Sequence, residues 1–216
     1  MRLRNIAGAI KEMNQHPLVN QKPEEYKGKW HEFFGNNNPI YIEIGMGKGD
    51  FVINNALKFK NINFIGIEKF SAVILRAVQK VESFESPIKN LCLLRFDAVY
   101  LQHIFAENEI ARVYLNFSDP WHKERYAKRR LTYSKYLNKY KTILPTGGLV
   151  RFKSDNDKLF EYSLKQIEES TFKLNKMTRD LHTSEYVVNN IMTEYEAKFV
   201  SNGETINFVE IENVKI

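Results

Sequence analysis

The sequence predicts an α/β protein with a mostly parallel, twisted sheet, helices on both faces of the sheet and an antiparallel strand at one edge. Three observations support this. Apolar strand-like segments alternate with helix-like segments from about residue 40 onward. A glycine-rich turn, Gly45-Met-Gly-Lys-Gly49, joins the first strand to a helix. Acids lie within or just after four of the strands, where open α/β sheets bind ligands.

Length and composition indicate one globular domain. The chain has 216 residues, of which 43% are hydrophobic and 27% charged. We expect a single domain over residues 39–216, with residues 1–38 as an N-terminal extension that is part of the same domain. Cys92 is the single cysteine and lies in an apolar run, so we expect a reduced core thiol. No stretch approaches the apolar length of a membrane span, and we expect a cytoplasmic protein.

The N-terminal extension has no strong hydrophobic period. Pro17 and Pro23 interrupt it, and Lys27 to Phe34 is a candidate short helix. We expect its first residues to be a flexible tail. The alternative is a supplementary RNA contact through Arg2 and Arg4.

The first half of the predicted domain alternates strands and helices. Apolar residues at helical spacing place one face of the helix from Ser71 to Phe84 against the sheet. Strands are expected over 40–45, 63–68 and 91–96, and helices from Asp50 onward, over 71–84 and over 99–105.

The second half continues the alternation and ends in a hairpin-like segment. Thr193-Glu-Tyr-Glu196 fits a capping box, which predicts a short helix running to Gly203. Thr205 to Glu212 alternates, so we expect this last strand to lie at the sheet edge. The other strands are expected over 111–117, 149–153 and 172–178, and helices over 132–144 and 156–170.

The glycine turn and the acids predict a nucleotide-type pocket. Asp50 occupies the third slot of the dinucleotide fingerprint, which counts against NAD or FAD. Glu43 lies inside an apolar strand and needs a polar partner. Glu68 is 21 residues past Gly47, a spacing that suits a ribose hydroxyl pair, and Asp97 is placed to bind an adenine amino group.

A basic stretch directly follows the fourth strand and the turn Asp119-Pro120-Trp121. From Trp121 to Lys141 there are eight Lys or Arg and one acid, a net of +7, so the rest of the chain nets −1 of the total of +6. Cations bind phosphates and the interleaved aromatics can stack on bases. This stretch therefore predicts an RNA-binding surface.

The motifs resemble known methyltransferases. Glu43-x-Gly45-x-Gly47-x-Gly49 resembles motif I of the class I S-adenosylmethionine-dependent methyltransferases, which implies a Rossmann-like class I methyltransferase fold. The glycine motif and the block from Asn116 to Arg130 together resemble the motifs of the bacterial tRNA (guanine-N7-)-methyltransferase family, which acts on a variable-loop guanine. Matching segments are also 64–68, 96–98, 152–156 and 193–196.

The resemblance implies a role for each matching residue. Asp119 would be the catalytic residue, an active-site carboxylate next to the target base. The implied cofactor is S-adenosyl-L-methionine and the implied partner is tRNA. The scattered histidines and the lack of a long apolar stretch lead us to expect no metal and no membrane contact, and we expect a monomer or homodimer. The implied cofactor-binding residues are Glu43, Gly45, Gly47, Gly49, Glu68, Asp97 and Asp119. The implied substrate-binding residues are Lys123, Asp155, Thr193, Glu194, Tyr195 and Glu196, and the implied RNA-binding residues are Arg125, Lys128, Arg129 and Arg130.

Three other functions stay open at this point. One is an RNA-binding module with a decayed cofactor pocket, against which the intact acids argue. Another is a methyltransferase of small molecules or proteins, which leaves the basic stretch unexplained. A nicotinamide oxidoreductase is disfavoured by Asp50 in the third glycine slot.

Overall fold

The computed structural model describes residues 8–188 and 190–214. It divides into two compact units, Met1–Ala106 (unit 1) and Glu107–Ile216 (unit 2), and each is described by itself. The suggested RNA contact through Arg2 and Arg4 lies outside the described residues. In the described part of the chain no helix has the length and apolarity to cross a membrane.

Unit 1 is built on three parallel strands in the order β3-β2-β1. In their pairing Ile42 lies opposite Ile65, and Gly66 lies opposite Leu93. All three strands are almost fully buried, as expected for parallel strands covered by helices. The strands are β1 (Ile40–Ile44), β2 (Asn63–Glu68) and β3 (Leu91–Arg95). The helices are α1 (Ala9–Gln15), α2 (Trp30–Phe34), α3 (Asp50–Lys58), α4 (Ser71–Glu82) and α5 (Leu101–Ile104).

The segment before β1 is packed into unit 1. Met13 of α1 belongs to the same buried cluster as Val78 of α4. Trp30 has no exposed surface, and its indole N–H donates to the carbonyl of Ile104 at 2.8 Å. The segment 8–38 therefore contributes large side chains to the core. The predicted helix over Lys27 to Phe34 is found as α2, and α1 was not predicted.

Unit 2 contains four strands in the order β4-β5-β7-β6. β4 pairs with β5 in parallel, whereas β7 is antiparallel to both β5 and β6. The strands are β4 (Arg112–Asn116), β5 (Leu149–Ser154), β6 (Phe172–Thr178) and β7 (Asn207–Asn213). The helices are α6 (Ser134–Ile143), α7 (Asp157–Glu168) and α8 (Glu194–Ser201).

The fold class is confirmed, with one correction to the position of the last strand. We expected that strand at the sheet edge, but β7 lies between β5 and β6, and β6 is the edge strand. The burial of the two strands explains this. β7 is buried at six of its seven positions, whereas β6 exposes Lys173, Leu174 and Asn175. A polar, lysine-containing strand is suited to an unpaired edge.

Candidate functional site

The glycine turn of unit 1 follows β1 and leads into α3. Gly45, Gly47 and Gly49 have φ values of 77°, 56° and 81°, which side chains rarely adopt. A Cβ added at Gly45 or Gly47 would meet no atom within 4 Å, so both glycines border open space. A Cβ at Gly49 would lie 2.9 Å from the Cβ of Ala77, so this glycine is required by packing. The first two positions can therefore admit a ligand close to the backbone.

Glu68, at the end of β2, is held against this turn. Its Oε2 accepts a hydrogen bond from the Gly47 N–H at 3.3 Å. Its Oε1 accepts from the N–H groups of Lys69 and Phe70 at 2.7 and 3.1 Å. Three backbone donors thus fix the orientation of one carboxylate beside the open glycines. Glu43 of β1 is only 2% exposed.

Asp97 follows β3 and is oriented by its neighbours. Its carboxylate accepts from the Val99 N–H at 3.0 Å and from Lys69 Nζ at 2.8 Å. Partial burial raises the pKa of Asp97, but the bonds from Lys69 and Val99 outweigh this effect and hold the pKa below its ordinary value. Asp97 is therefore ionised at neutral pH and suited to accept from an amino group.

Asp50 has a structural partner in unit 1. Both of its carboxylate oxygens lie 2.5 Å from Lys80 Nζ, which joins the start of α3 to α4. The ion pair with Lys80 gives Asp50 a structural role at the position where the dinucleotide fingerprint has a glycine or alanine.

In unit 2, the turn that follows β4 has unusual backbone geometry around Asp119. Phe117 and Trp121 have φ values of 51° and 45°, in the left-handed region that bulky residues avoid. The Phe117 N–H donates to the carbonyl of Lys153 at 2.9 Å, which ties the turn to β5. Asp119 is exposed at the middle of the turn.

The basic stretch divides into exposed cations and one buried cation. Lys123, Arg125, Lys128 and Arg129 are exposed, whereas Arg130 is 6% exposed. The Arg129 guanidinium lies 4.9 Å from the ring centre of Trp121 and 4.8 Å from that of Tyr126. The Arg125 guanidinium is 4.9 Å from the Tyr126 ring centre. Arg125 and Arg129 therefore form an exposed cation–aromatic surface in unit 2.

The capping box at the start of α8 is present, and its acid has further partners. The Thr193 Oγ1 accepts from the Glu196 N–H at 2.9 Å, and Glu196 Oε2 accepts from the Thr193 N–H at 3.3 Å. Glu196 is fully buried, with its Oε2 2.5 Å from Lys153 Nζ and its Oε1 3.0 Å from His182 Nε2. Asn190 Nδ2 also donates to Glu196 Oε1, at 2.7 Å. Glu196 therefore anchors the loop before α8.

The anchored loop presents the neighbouring side chains. Tyr195 is 47% exposed, and its ring lies 4.5 Å from that of Phe199 and 5.1 Å from that of Phe117. Partial burial raises the pKa of Tyr195, and the nearby charge of Asp155 adds to this effect. Tyr195, Asp155 and Phe117 therefore form one neighbourhood. Glu194 is exposed at the first position of α8.

Sequence reasoning missed Lys153 and His182. Both contact Glu196, and Lys153 is 3% exposed. The available signal was a lysine directly after Phe152 inside a predicted strand, because a lysine that such a strand buries requires a paired carboxylate. Within residues 8–188 and 190–214, no group of three or more His, Cys, Asp or Glu side chains is placed to hold a metal ion.

Comparison with known proteins identifies close relatives by sequence. The Methyltransf_4 family of methyltransferases matches residues 37–209. A protein of Lachnoclostridium phytofermentans named tRNA (guanine-N(7)-)-methyltransferase is 55% identical over 96% of this chain and 96% of its own length. Proteins of the same name from Brevibacillus brevis and Bacillus subtilis are 49% and 51% identical, over 97% and 88% of both chains, respectively.

Solved structures share the fold at low sequence identity. The 16S rRNA methyltransferase KamB superimposes with a TM-score of 0.63 at 10% identity, covering 85% of this chain and 91% of that one. A 16S rRNA (adenine(1408)-N(1))-methyltransferase solved with its cosubstrate SAM gives a TM-score of 0.59 at 11% identity, covering 91% and 93%. These neighbours have the class I methyltransferase fold, which this chain shares.

Proposed function

Because the chain belongs to the tRNA (guanine-N(7)-)-methyltransferase family, we propose that it methylates N7 of a guanine in tRNA with S-adenosyl-L-methionine as methyl donor. The observation that carries this is near-full-length similarity to proteins of that name, at about half of all positions. The variable-loop position of the guanine is part of the proposal. So are a cytoplasmic location, a monomeric or homodimeric state, and a single catalytic domain over residues 39–216 with the preceding segment as part of the same domain.

The residues of unit 1 fit the cofactor. The open positions at Gly45 and Gly47 give room for a ligand at the backbone. Glu68 would accept from the ribose hydroxyls and Asp97 from the adenine amino group, while Glu43 would lie toward the cationic methionine end. Bound S-adenosylmethionine supplies an electrophilic methyl group on a positively charged sulfur.

The residues of unit 2 fit the target base and the tRNA. Asp119 and Asp155 would accept from the guanine N1–H and exocyclic amine, and Lys123 would contact the nucleoside. Thr193, Glu194 and Tyr195 would complete the base site, with Glu196 anchoring their loop rather than touching the base. Arg125, Lys128 and Arg129 would bind the RNA backbone.

Guanine N7 carries no proton and has a lone pair, so this chain needs no general base for the transfer. Its side chains must instead orient the base and stabilise the positive charge that develops on the ring. The carboxylates of Asp119 and Asp155 serve both purposes. The base must also leave its stacked position in the tRNA, as enzymes that act on bases require.

The test is methyl transfer from labelled S-adenosylmethionine to a tRNA transcript, followed by nucleoside analysis. We expect 7-methylguanosine. A second tRNA carries 7-deazaguanosine at the variable-loop position, in which a C–H group replaces N7 and the rest of the base is unchanged. This tRNA should bind and accept no methyl group. Transfer to it would refute the proposed atom or position, and binding without any transfer to the normal transcript would favour an RNA-binding module.

The role of Asp119 is tested by single-turnover transfer with Asp119→Ala. Loss of a charge-stabilising group costs about 10²–10³-fold in rate, and we expect a loss in this range at saturating tRNA. Glu168→Gln is the matched control, because it removes one exposed carboxylate from helix α7 of the same unit. A near-normal rate for Asp119→Ala, with weaker binding only, would contradict the role.

A further inference from the structure

Arg130 differs from the other cations of its stretch. Its side chain is 7% exposed, whereas Lys128 and Arg129 on the preceding positions are exposed. A guanidinium that is buried to this extent cannot contact a phosphate without leaving its place. Its function must therefore be sought in the contacts it makes inside unit 2.

Those contacts are with the backbone that follows Asp119. Arg130 Nε donates to the carbonyl of Pro120 at 2.9 Å, and Nη2 donates to the carbonyl of Trp121 at 3.2 Å. The flat guanidinium lies 4.2 Å from the ring centre of Tyr162 in α7. Two donors of one rigid fork thus hold consecutive carbonyls, an arrangement that the single ammonium of lysine cannot reproduce.

The ion pair of Arg130 adds little to this arrangement. Nη2 is 3.3 Å from Glu124 Oε1, but the Glu124 side chain is 86% exposed. Exposed carboxylates contribute weakly to ion pairs because water screens them. The geometry of Arg130 therefore depends on the two carbonyls and on the Tyr162 ring.

The held turn is strained on both sides of Asp119. Phe117 and Trp121 have positive φ values of 51° and 45°. Bulky residues keep such conformations only where their surroundings enforce them. On the Phe117 side the bond to the carbonyl of Lys153 does so. On the Trp121 side, Arg130 binds the carbonyl of that residue and of the one before it.

We propose that Arg130 is a positioning residue that fixes the Asp119 turn through the Pro120 and Trp121 carbonyls, and that it does not bind RNA. The proposal rests on the function proposed above, in which Asp119 faces the target base. It replaces, for Arg130 alone, the RNA-binding role that the sequence resemblance implies.

The test compares Arg130→Ala with Arg125→Ala, the same substitution at a buried and at an exposed arginine of one stretch. For Arg130→Ala we expect the single-turnover rate at saturating tRNA to fall about 10- to 100-fold, as misplacement of a reacting group does. The salt dependence of tRNA binding should stay that of the wild type. For Arg125→Ala we expect the slope of the logarithm of the binding constant against the logarithm of the salt concentration to become smaller by about 0.7–0.9. This is the contribution of one phosphate contact.

Two further variants separate geometry from charge and from folding. Arg130→Lys keeps the charge but not the fork, so its rate should fall as it does for Arg130→Ala. Tyr162→Leu removes the ring under the guanidinium and should lower the rate to a smaller extent, with an unchanged salt slope. If the Arg130 variants do not fold, Tyr162→Leu alone tests whether Arg130 positions the Asp119 turn.

A smaller salt slope for Arg130→Ala, a wild-type rate for Arg130→Lys or a wild-type rate for Tyr162→Leu would each overturn the proposal. Failure of the proposed function is distinguishable from these outcomes. In that case the wild-type enzyme itself forms no 7-methylguanosine.

Discussion

Replacing Lys153 by methionine will lower the melting temperature of this protein by about 6–20 °C. Methionine has a similar length but removes the ammonium group that lies 2.5 Å from Glu196 Oε2. The two side chains are 4% and 0% exposed, so Glu196 would keep a buried charge without its cation. Breaking a buried pair in this way costs about 3–5 kcal/mol. In a chain of this size each kcal/mol shifts the melting temperature by about 2–4 °C.

The effect extends beyond the ion pair itself. Lys153 Nζ also donates to Asn190 Oδ1 at 3.2 Å and to the carbonyl of Ile191 at 3.3 Å. These bonds join β5 to the loop that carries Thr193. We therefore expect a raised KM for tRNA in addition to the lower stability, because the loop loses its anchor.

Thermal unfolding followed by circular dichroism at pH 7 measures the change. The double variant Lys153→Met/Glu196→Gln removes the stranded charge but keeps an oxygen that can accept from Asn190 and Thr193, and it should recover part of the loss. Lys22→Met is the control, because Lys22 and its partner Glu25 are 73% and 61% exposed and the melting temperature should not change. A shift under about 2 °C for Lys153→Met, or a double variant less stable than the single one, would refute the reasoning.

Three further predictions concern other parts of the chain. Gly49→Ala should destabilise the protein by about 1–3 kcal/mol in urea unfolding, because φ is 81° and the new Cβ would lie 2.9 Å from an α4 side chain; unchanged stability would contradict this geometry. Burial raises the pKa of the Cys92 thiol well above its ordinary value, so iodoacetamide at pH 8 should label Cys92 only after unfolding, and rapid labelling of the native protein would contradict its burial. Burial raises the pKa of Glu210, but Arg151 and Lys176 outweigh it and hold the pKa below its ordinary value. The stability that this depressed pKa contributes is present above pH 4.5 and is lost as the pH falls through the pKa of the folded state. Glu210→Gln should therefore lose less stability on acidification than the wild type does. Equal losses would refute the linkage.

The parts of the fold that were predictable depend on local chemistry. Strand β1 and helix α3 follow from an apolar run, three glycines and Asp50, and the capping box at Thr193 is present as expected. The position of β7 was not predictable in this way. Which strand lies at the edge depends on how much surface each strand buries in the assembled sheet, and alternation in Thr205 to Glu212 does not report it.

The site was predictable as a set of residues but not as an arrangement. Glu68 and Asp97 could be expected at strand ends because parallel strands end at the same edge of a sheet. The sequence alone could not show that Arg130 is buried and Arg129 is exposed. The two are adjacent arginines that differ only in the direction of the side chain. The sequence also could not indicate the left-handed backbone of Phe117, which long-range contacts enforce.

The two tryptophans of the chain give each unit its own optical reporter. Trp30 is enclosed in unit 1 by Tyr26, Phe33 and Phe105, so we expect its fluorescence to be blue-shifted until that unit unfolds. Trp121 is partly exposed in unit 2 beneath the Arg129 guanidinium, where a docked nucleic acid would quench its emission. We therefore expect Trp30 emission to report the integrity of unit 1 and, under the proposed function, Trp121 emission to report bound tRNA.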